Sequence, residues 1–272
     1  MKNINFALTF KPEKQYIGCL LKIAERAQPM STKQISLETG IPMGTSSGKV
    51  VPHIDYCKFM GLIDYERIDS NTYQLSLTPL GEVVLDEDPG IKEELSLILL
   101  HSMLVRNIEG APIWDEMYHK IFPKYHGTIS IEDAINELNI IYDNKVTKKN
   151  FAPFISSYED MFSPINYITV ENETLKVKYT PKIDKDFVYL YAYVLLSYWD
   201  ESYAERIEIT ADEFSELKYG NKLNFDLQTE YKVLELLNEK GLIRLNRQLS
   251  PYTIMKTSNK DDLIKKLYSE LF

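Results

Sequence analysis

The sequence has few cysteines and no long hydrophobic run, and each shortage excludes a class of protein. Only two of its 272 residues are cysteines. Both fall in apolar, helix-like stretches, so we expect reduced thiols in a cytoplasmic protein and exclude a disulfide framework. The longest apolar run, residues 187–196, contains three tyrosines and is shorter than the roughly 20 residues of a membrane span. The first residues lack the pattern of a signal peptide. We therefore expect no membrane contact.

The composition is that of a folded, acidic protein. Lys and Arg total 31 against 40 Asp and Glu, which gives a net charge of −9, and 44% of the residues are hydrophobic. These values exclude a disordered tail and a collagen-like repeat, and the length favours two or three modules sharing a core. Residues 1–80 hold nine basic and seven acidic residues, a net charge of +2, which leaves −11 for the remainder. Only the first module is therefore expected to bind phosphate, and weakly.

Residues 1–88 are predicted to form a winged helix-turn-helix domain. Ser31 and Gln34 form a capping-box pattern at the start of one helix, and Gly40 ends it. Apolar periodicity, caps and turn residues predict, in order, helices over 13–28, 31–40 and 46–60, strands over 62–66 and 72–77, and a helix over 79–85. This order of short elements is the plan of a winged helix-turn-helix.

Pro52 leaves the start of the third helix open. Inside a helix, proline removes a hydrogen bond and kinks the axis. If the helix begins near Val51 instead, Pro52 lies in its first turn, where it is tolerated, and residues 45–49 form a loop.

The remaining sequence is predicted to be helical with two further hairpins. Residues 89–127 are expected to be a helical connector with helices over 91–107 and 113–122, the first too apolar for a surface helix. Residues 128–272 are expected to be a helical region with winged-helix-like elements: helices over 131–141, 148–161, 185–201, 211–218 and 227–239, and strands over 166–170, 174–179, 242–246 and 252–256. The predicted fold is thus mainly α with small β wings, although no sequence repeat supports the second winged-helix-like part.

Seven residues are the candidate DNA contacts. They lie where a recognition helix meets the major groove and on the predicted wing: Thr45, Ser46, Ser47, Lys49, His53, Arg67 and Asn71. The alternative is a winged helix that contacts only proteins, in which these residues are solvated caps.

Other motifs give weaker indications of chemistry. Glu116 and His119 share a helix face, with His101 and His126 nearby in sequence, but a di-metal site needs a second Glu-x-x-His, so no metal is expected. Glu216 and Lys218 end a nuclease-like Glu-x-Lys, and Asp212 precedes them in a predicted helix rather than on the strand that such a site needs. Cys57 has no indicated base. We expect no catalytic residues and no cofactor.

A set of short motifs resembles a prokaryotic family. In order, they are Gly48-Lys49-Val50-Val51, Met60-Gly61-Leu62-Ile63, Leu77-Thr78-Pro79-Leu80-Gly81-Glu82, Leu99-Leu100-His101 and Ala111-Pro112-Ile113-Trp114. Over residues 6–125 they are similar to the domain-of-unknown-function family four-thousand-and-seven, whose members are often encoded beside genes for phosphorothioate DNA modification and anti-phage defence. The resemblance implies a winged-helix protein of such a locus and brings no catalytic residues. The chain departs from the family at its start, where residues 6–12 replace a His-Glu-Thr-Phe-like opening.

Together these observations predict a non-enzymatic, DNA-binding or DNA-targeting accessory subunit of a bacterial modification or defence system. Its expected partners are DNA and other proteins of the same locus. A protein–protein adaptor that uses its winged helix is the alternative, and the acidic remainder of the chain fits it. A metal-dependent nuclease ranks third, and it requires Asp212, Glu216 and Lys218 to converge on one pocket.

Overall fold

The computed structural model describes residues 3–44, 48–180, 182–248 and 250–271. The protein is helix-rich and contains small antiparallel sheets of three strands each, which confirms the expectation of a mainly α protein with small β elements. Throughout the described ranges, every helix is too short or too polar to cross a bilayer.

The α-helices are distributed along the whole chain. They are α1 (Lys14–Ala24), α2 (Thr32–Thr39), α3 (Val50–Phe59), α4 (Pro79–Glu87), α5 (Glu94–Leu104), α6 (Pro112–Glu116), α7 (Phe122–Lys124), α8 (Ile131–Ile141), α9 (Lys148–Glu159), α10 (Val188–Tyr203), α11 (Ala211–Glu216), α12 (Tyr219–Lys222), α13 (Leu227–Glu239) and α14 (Lys260–Ile264). A π-helical turn, Met117–Ile121, joins α6 to α7, and 3₁₀ turns cover Ser163–Ile165 and Lys185–Phe187.

The strands form three sheets with the same topology. They are β1 (Pro29–Ser31), β2 (Ile63–Arg67), β3 (Thr72–Leu77), β4 (Thr128–Ser130), β5 (Ile168–Glu171), β6 (Thr174–Val177), β7 (Glu208–Thr210), β8 (Ile243–Asn246) and β9 (Thr253–Lys256). The orders are β1-β3-β2, β4-β6-β5 and β7-β9-β8. In each sheet the last strand lies in the centre and pairs with its hairpin partner and with a three-residue strand.

One order of elements therefore occurs three times: helix, short strand, helix, helix and hairpin. We name the copies unit 1 (residues 14–77), unit 2 (residues 112–177) and unit 3 (residues 188–256). Unit 3 has the additional short helix α12 between its second and third helices. The segment 112–124, predicted as part of a connector, precedes β4 as α1 precedes β1.

The units also share local contacts. The last residue of each short strand is Ser31, Ser130 or Thr210, and its hydroxyl caps the second helix by accepting the backbone N–H of the residue three positions later. Units 1 and 3 share a Gly-Leu-Ile sequence after the third helix. Gly61 and Gly241 both have a φ of +70°, and each carbonyl accepts a threonine hydroxyl, from Thr78 at 2.6 Å and from Thr257 at 2.7 Å.

Most elements lie where the sequence predicted them, with shifted ends. The predicted helix 227–239 and the hairpin strands agree closely with the structure, whereas the short strands β1, β4 and β7 were not predicted. Of the two starts that Pro52 left open for the third helix, the structure confirms the later one, near Val51, and not residue 46. Helix α3 begins at Val50, so Pro52 lies in its first turn, where its missing N–H leaves no helical bond unmade.

Helices α5 and α10 form the centre of the core. Every residue from Leu95 to Leu104 is buried, as expected from the apolar pattern of this segment, and α10 packs directly on α5. The Tyr198 hydroxyl donates to the Ser102 carbonyl at 2.7 Å, which ties the two helices together. Beside them, Trp114 is 1% exposed and contacts the rings of Phe6, Tyr56 and Phe154, which joins units 1 and 2.

A buried ion pair joins the end of α5 to α10. Arg106 Nη1 lies 3.2 Å from Glu201 Oε1, and both side chains are about one-tenth exposed, at 10% and 11%. Burial raises the pKa of Glu201, and Arg106 opposes that rise. Glu201 also accepts the N–H of Ile108 at 3.3 Å, so this carboxylate holds the loop after α5 in place.

We expect Arg106→Met to destabilise the protein by about 3–5 kcal/mol, because it leaves a buried carboxylate without its cation. Urea denaturation at pH 7 measures the free energy of unfolding. The double variant Arg106→Met/Glu201→Leu should recover most of the loss, since both charges are then removed. Glu109→Ala is the control, because Glu109 also pairs with Arg106 but is 65% exposed; an equal loss in that variant would contradict the assignment.

Candidate functional site

The predicted contact residues of unit 1 separate into three groups. Thr45, Ser46 and Ser47 lie outside the described residues. Lys49 is the N-cap residue of α3, and its Nζ lies 2.6 Å from Glu13 Oε1. The rings of Phe10 and Tyr16 lie 5.7 and 5.6 Å from the same ammonium. The charge of Lys49 is therefore already balanced within the protein.

His53 is fully buried. Its Nδ1 lies 2.7 Å from the Lys49 carbonyl, and its ring makes edge contacts with Tyr16 and Tyr56. Burial lowers the pKa of this imidazole. A direct contact between His53 and a duplex, as the sequence suggested, is incompatible with this position. Six of the ten residues of α3 are buried, so packing rather than exposure dominates this helix.

The first hairpin presents the other two predicted residues to solvent. Arg67 ends β2, and Asn71 lies in the turn before β3. The Arg67 guanidinium donates to the carbonyls of Asp69 at 3.0 Å and Ser70 at 2.8 Å, and it lies over the ring of Tyr73. Since arginine has five N–H donors, these two bonds leave donors for a ligand.

An exposed basic segment in unit 2 was not among the predicted contacts. Lys145, Lys148 and Lys149 are exposed and flank Thr147, which caps α9. The first turn of α9 has no acidic residue, and cations are unfavourable at a helix N-terminus. The run of three lysines within five residues was the sequence pattern that could have predicted this basic surface.

The residues of the candidate metal site and of the candidate nuclease site do not all lie together in the structure. His101 is buried in the core, with Nε2 2.9 Å from the Tyr158 hydroxyl, and Glu116 Oε2 lies 2.8 Å from Lys120 Nζ. Asp212 is not among the residues that line the cavity containing Glu216 and Lys218, named below. Within the described ranges, no three His, Cys, Asp or Glu side chains are placed to hold a metal ion.

His119 and Lys218, from two different candidates, do come together. They line a cavity of about 380 Å³, which lies between the π-helical turn of unit 2 and helices α10 and α11 of unit 3. We call this cavity the His119 cleft. The residues that line it are Asn107, His119, Ser202, Tyr203, Glu216, Leu217 and Lys218. A small extension reaches Glu201 and Lys222. Burial, together with the nearby charges of Lys222, Lys120 and Lys218, lowers the pKa of His119 to about 4.

Two solved structures have the same fold. A crystal structure of SspB matches with a TM-score of 0.75 and 16% identity, over 100% of this chain and 88% of the SspB chain. A crystal structure of magnesium ion-bound SspB matches with the same TM-score and coverage and 15% identity. No family model and no curated protein matches the sequence. At these identities the similarity establishes the fold alone, so the family resemblance stays a prediction.

We expect the stability to fall as the pH drops below about 6.5, because buried histidines cannot take up protons while unfolded ones can. Burial lowers the pKa of His101 to about 3. Above the pKa of the imidazole in the unfolded chain, the contribution of His101 to the free energy of unfolding is complete. Toward pH 3 this contribution falls by about 1.4 kcal/mol per pH unit. Urea denaturation between pH 4 and 7 gives the free energy of unfolding as a function of pH. The slope of this curve should be smaller for His101→Phe than for the wild type, by the equivalent of about one proton. An unchanged slope would show that His101 titrates normally in the folded protein.

Proposed function

We propose that the three units are winged helix-turn-helix modules and that the protein binds DNA. The observation that carries this proposal is the repeated topology, in which every unit pairs a short strand with a hairpin and places its third helix just before that hairpin. In winged helices, the third helix and the hairpin wing are the elements that approach a duplex.

The contact surface proposed here differs from the one expected at the start of α3. Because α3 is mostly buried and Lys49 is paired with Glu13, unit 1 offers mainly its wing, through Arg67 and Asn71. Unit 2 offers the start of α9, where Lys145, Lys148 and Lys149 are exposed. Backbone phosphates are the ligand that such exposed cations fit.

We further propose that the protein is a DNA-binding or DNA-targeting accessory subunit of a bacterial modification or anti-phage defence system in the cytoplasm. The family resemblance over residues 6–125 supports this role, and it places other proteins of the same locus among the partners. An adaptor role remains the alternative. Magnesium is named for one SspB structure, but no described residues here support a metal-dependent nuclease strongly enough to rank it higher.

We expect Lys148→Glu/Lys149→Glu to weaken duplex binding by about tenfold or more. The slope of the logarithm of the binding constant against the logarithm of the salt concentration should become shallower by about two, one for each lost phosphate contact. Fluorescence anisotropy with a labelled duplex at two or more salt concentrations measures both quantities. Phosphorothioate and plain duplexes should be compared, because the resemblance implies a modification locus.

The matched control is Lys265→Glu/Lys266→Glu, which makes the same charge change at two adjacent exposed lysines near the C-terminus. It should bind within about twofold of the wild type if the contact is local. Lys49→Ala should also bind normally, since Glu13 already holds its ammonium. Absence of binding by the wild type at low salt would refute the DNA proposal and favour the adaptor.

A further inference from the structure

Strand β2 lies at the edge of the first sheet. The strand order is β1-β3-β2, so within the described ranges β2 pairs with β3 alone and its other side is open. With five residues it is the longest edge strand of that part of the chain, against four in β5 and β8. The open side of such a strand presents a row of N–H and C=O groups with which another chain can pair.

Hydrogen bonds at the two ends of the hairpin determine which backbone groups of β2 point outwards. The Thr78 N–H donates to the Leu62 carbonyl at 3.1 Å, and the Ile68 N–H donates to the Thr72 carbonyl at 2.9 Å. Bonded and non-bonded residues alternate along an antiparallel pair, so every second residue of β2 turns its N–H and C=O away from β3. These outward residues are Ile63, Tyr65 and Arg67.

The two intervening residues carry negative charge along this edge. Asp64 and Glu66 are exposed, and across the described ranges neither carboxylate has an ion-pair or hydrogen-bond partner. Their neighbours on β3 are the uncharged Ser76 and Gln74. Opposite charges in cross-strand pairs stabilise a sheet, so the edge favours an added strand with basic residues at every second position.

A cavity of about 520 Å³ adjoins the start of β2 and is also lined by α3, α4, α5, α10 and α14. Its apolar lining includes Phe59, Ile63, Leu80, Met103 and Ile264. Its charged lining is balanced, with three basic and three acidic residues: Lys58, Arg106, Lys260, Asp64, Glu109 and Asp261. The cavity therefore suits apolar side chains rather than a strongly charged ligand.

The charges of β2 disfavour a second copy of this chain as the added strand. Antiparallel pairing of two β2 strands centred on Tyr65 places Asp64 opposite Glu66 of the other copy. A pairing centred on Asp64 or on Glu66 places that acidic residue opposite itself. Like charges directly opposite each other destabilise a sheet, so a segment of another protein fits this edge better.

We propose that β2 and the adjoining cavity bind an extended segment of a partner protein in which basic residues alternate with apolar ones. The segment adds a fourth strand to the first sheet and bonds to the outward backbone groups of Ile63, Tyr65 and Arg67. Its basic side chains lie beside Asp64 and Glu66, and its apolar side chains lie on the other face, toward the cavity. The proposal does not depend on DNA binding, because a peptide alone is a sufficient probe.

The test uses a labelled nine-residue peptide of alternating lysine and leucine, with binding measured by fluorescence anisotropy. We expect saturable binding, weakened by about tenfold or more when glutamate replaces lysine. Two further peptides carry N-methyl groups on one or the other alternate set of residues. One set removes the N–H groups that face β2 and should weaken binding by about tenfold or more, whereas the other should bind within about twofold, because its N–H groups face solvent.

In the protein, Asp64→Lys/Glu66→Lys should weaken binding of the lysine–leucine peptide by about tenfold or more. The matched control is Asp86→Lys/Glu87→Lys, which makes the same charge change at two exposed residues at the end of α4 and should bind within about twofold of the wild type. Unfolding curves show that both variants are folded. No saturable binding by the wild type, equal loss with both methylated peptides, or normal binding by Asp64→Lys/Glu66→Lys would overturn the proposal.

Discussion

The packing of α5 on α10 is the contact on which the three units depend. A module of about 60 residues buries too little surface to be very stable alone, and each unit here is about that size. Helix α5 is buried on all sides and α10 nearly so, which lets both supply apolar surface to several neighbours at once. The Arg106–Glu201 pair and the Tyr198–Ser102 hydrogen bond fix the relative position of the two helices. The units are therefore parts of one shared core.

This shared core limits where the protein can contact other molecules. In unit 1, the third helix is covered by the N-terminal segment and by Trp114, and the Tyr56 hydroxyl donates to the Phe10 carbonyl at 2.9 Å. A helix used in this way contributes to stability rather than to recognition. The third helices of the other two units are less covered, with five of twelve residues buried in α9 and five of thirteen in α13.

The sequence predicted elements that depend on local signals and failed for those that depend on tertiary pairing. The turn residues 69–71 placed the first hairpin, and with it Arg67 and Asn71, because turn chemistry acts within a few residues. The short strands form only by pairing with a distant hairpin, and three residues are too few for a periodic pattern. Their signal was the repeated pair of a buried residue and a capping hydroxyl before each second helix. The Lys49–Glu13 pair spans 36 residues, so no local pattern predicts it.

The same reasoning applies to the His119 cleft, whose two sides lie about 100 residues apart in sequence. Neither Glu-x-x-His nor Glu-x-Lys carries much information alone, and no local pattern links the two motifs. The fold combines His119 with Lys218 and adds Lys222, a nearly inaccessible cation. Cations beside an imidazole disfavour its protonation, and burial of charge costs free energy. The low pKa of His119 follows from this placement, because burial and three lysine charges act on its ring together.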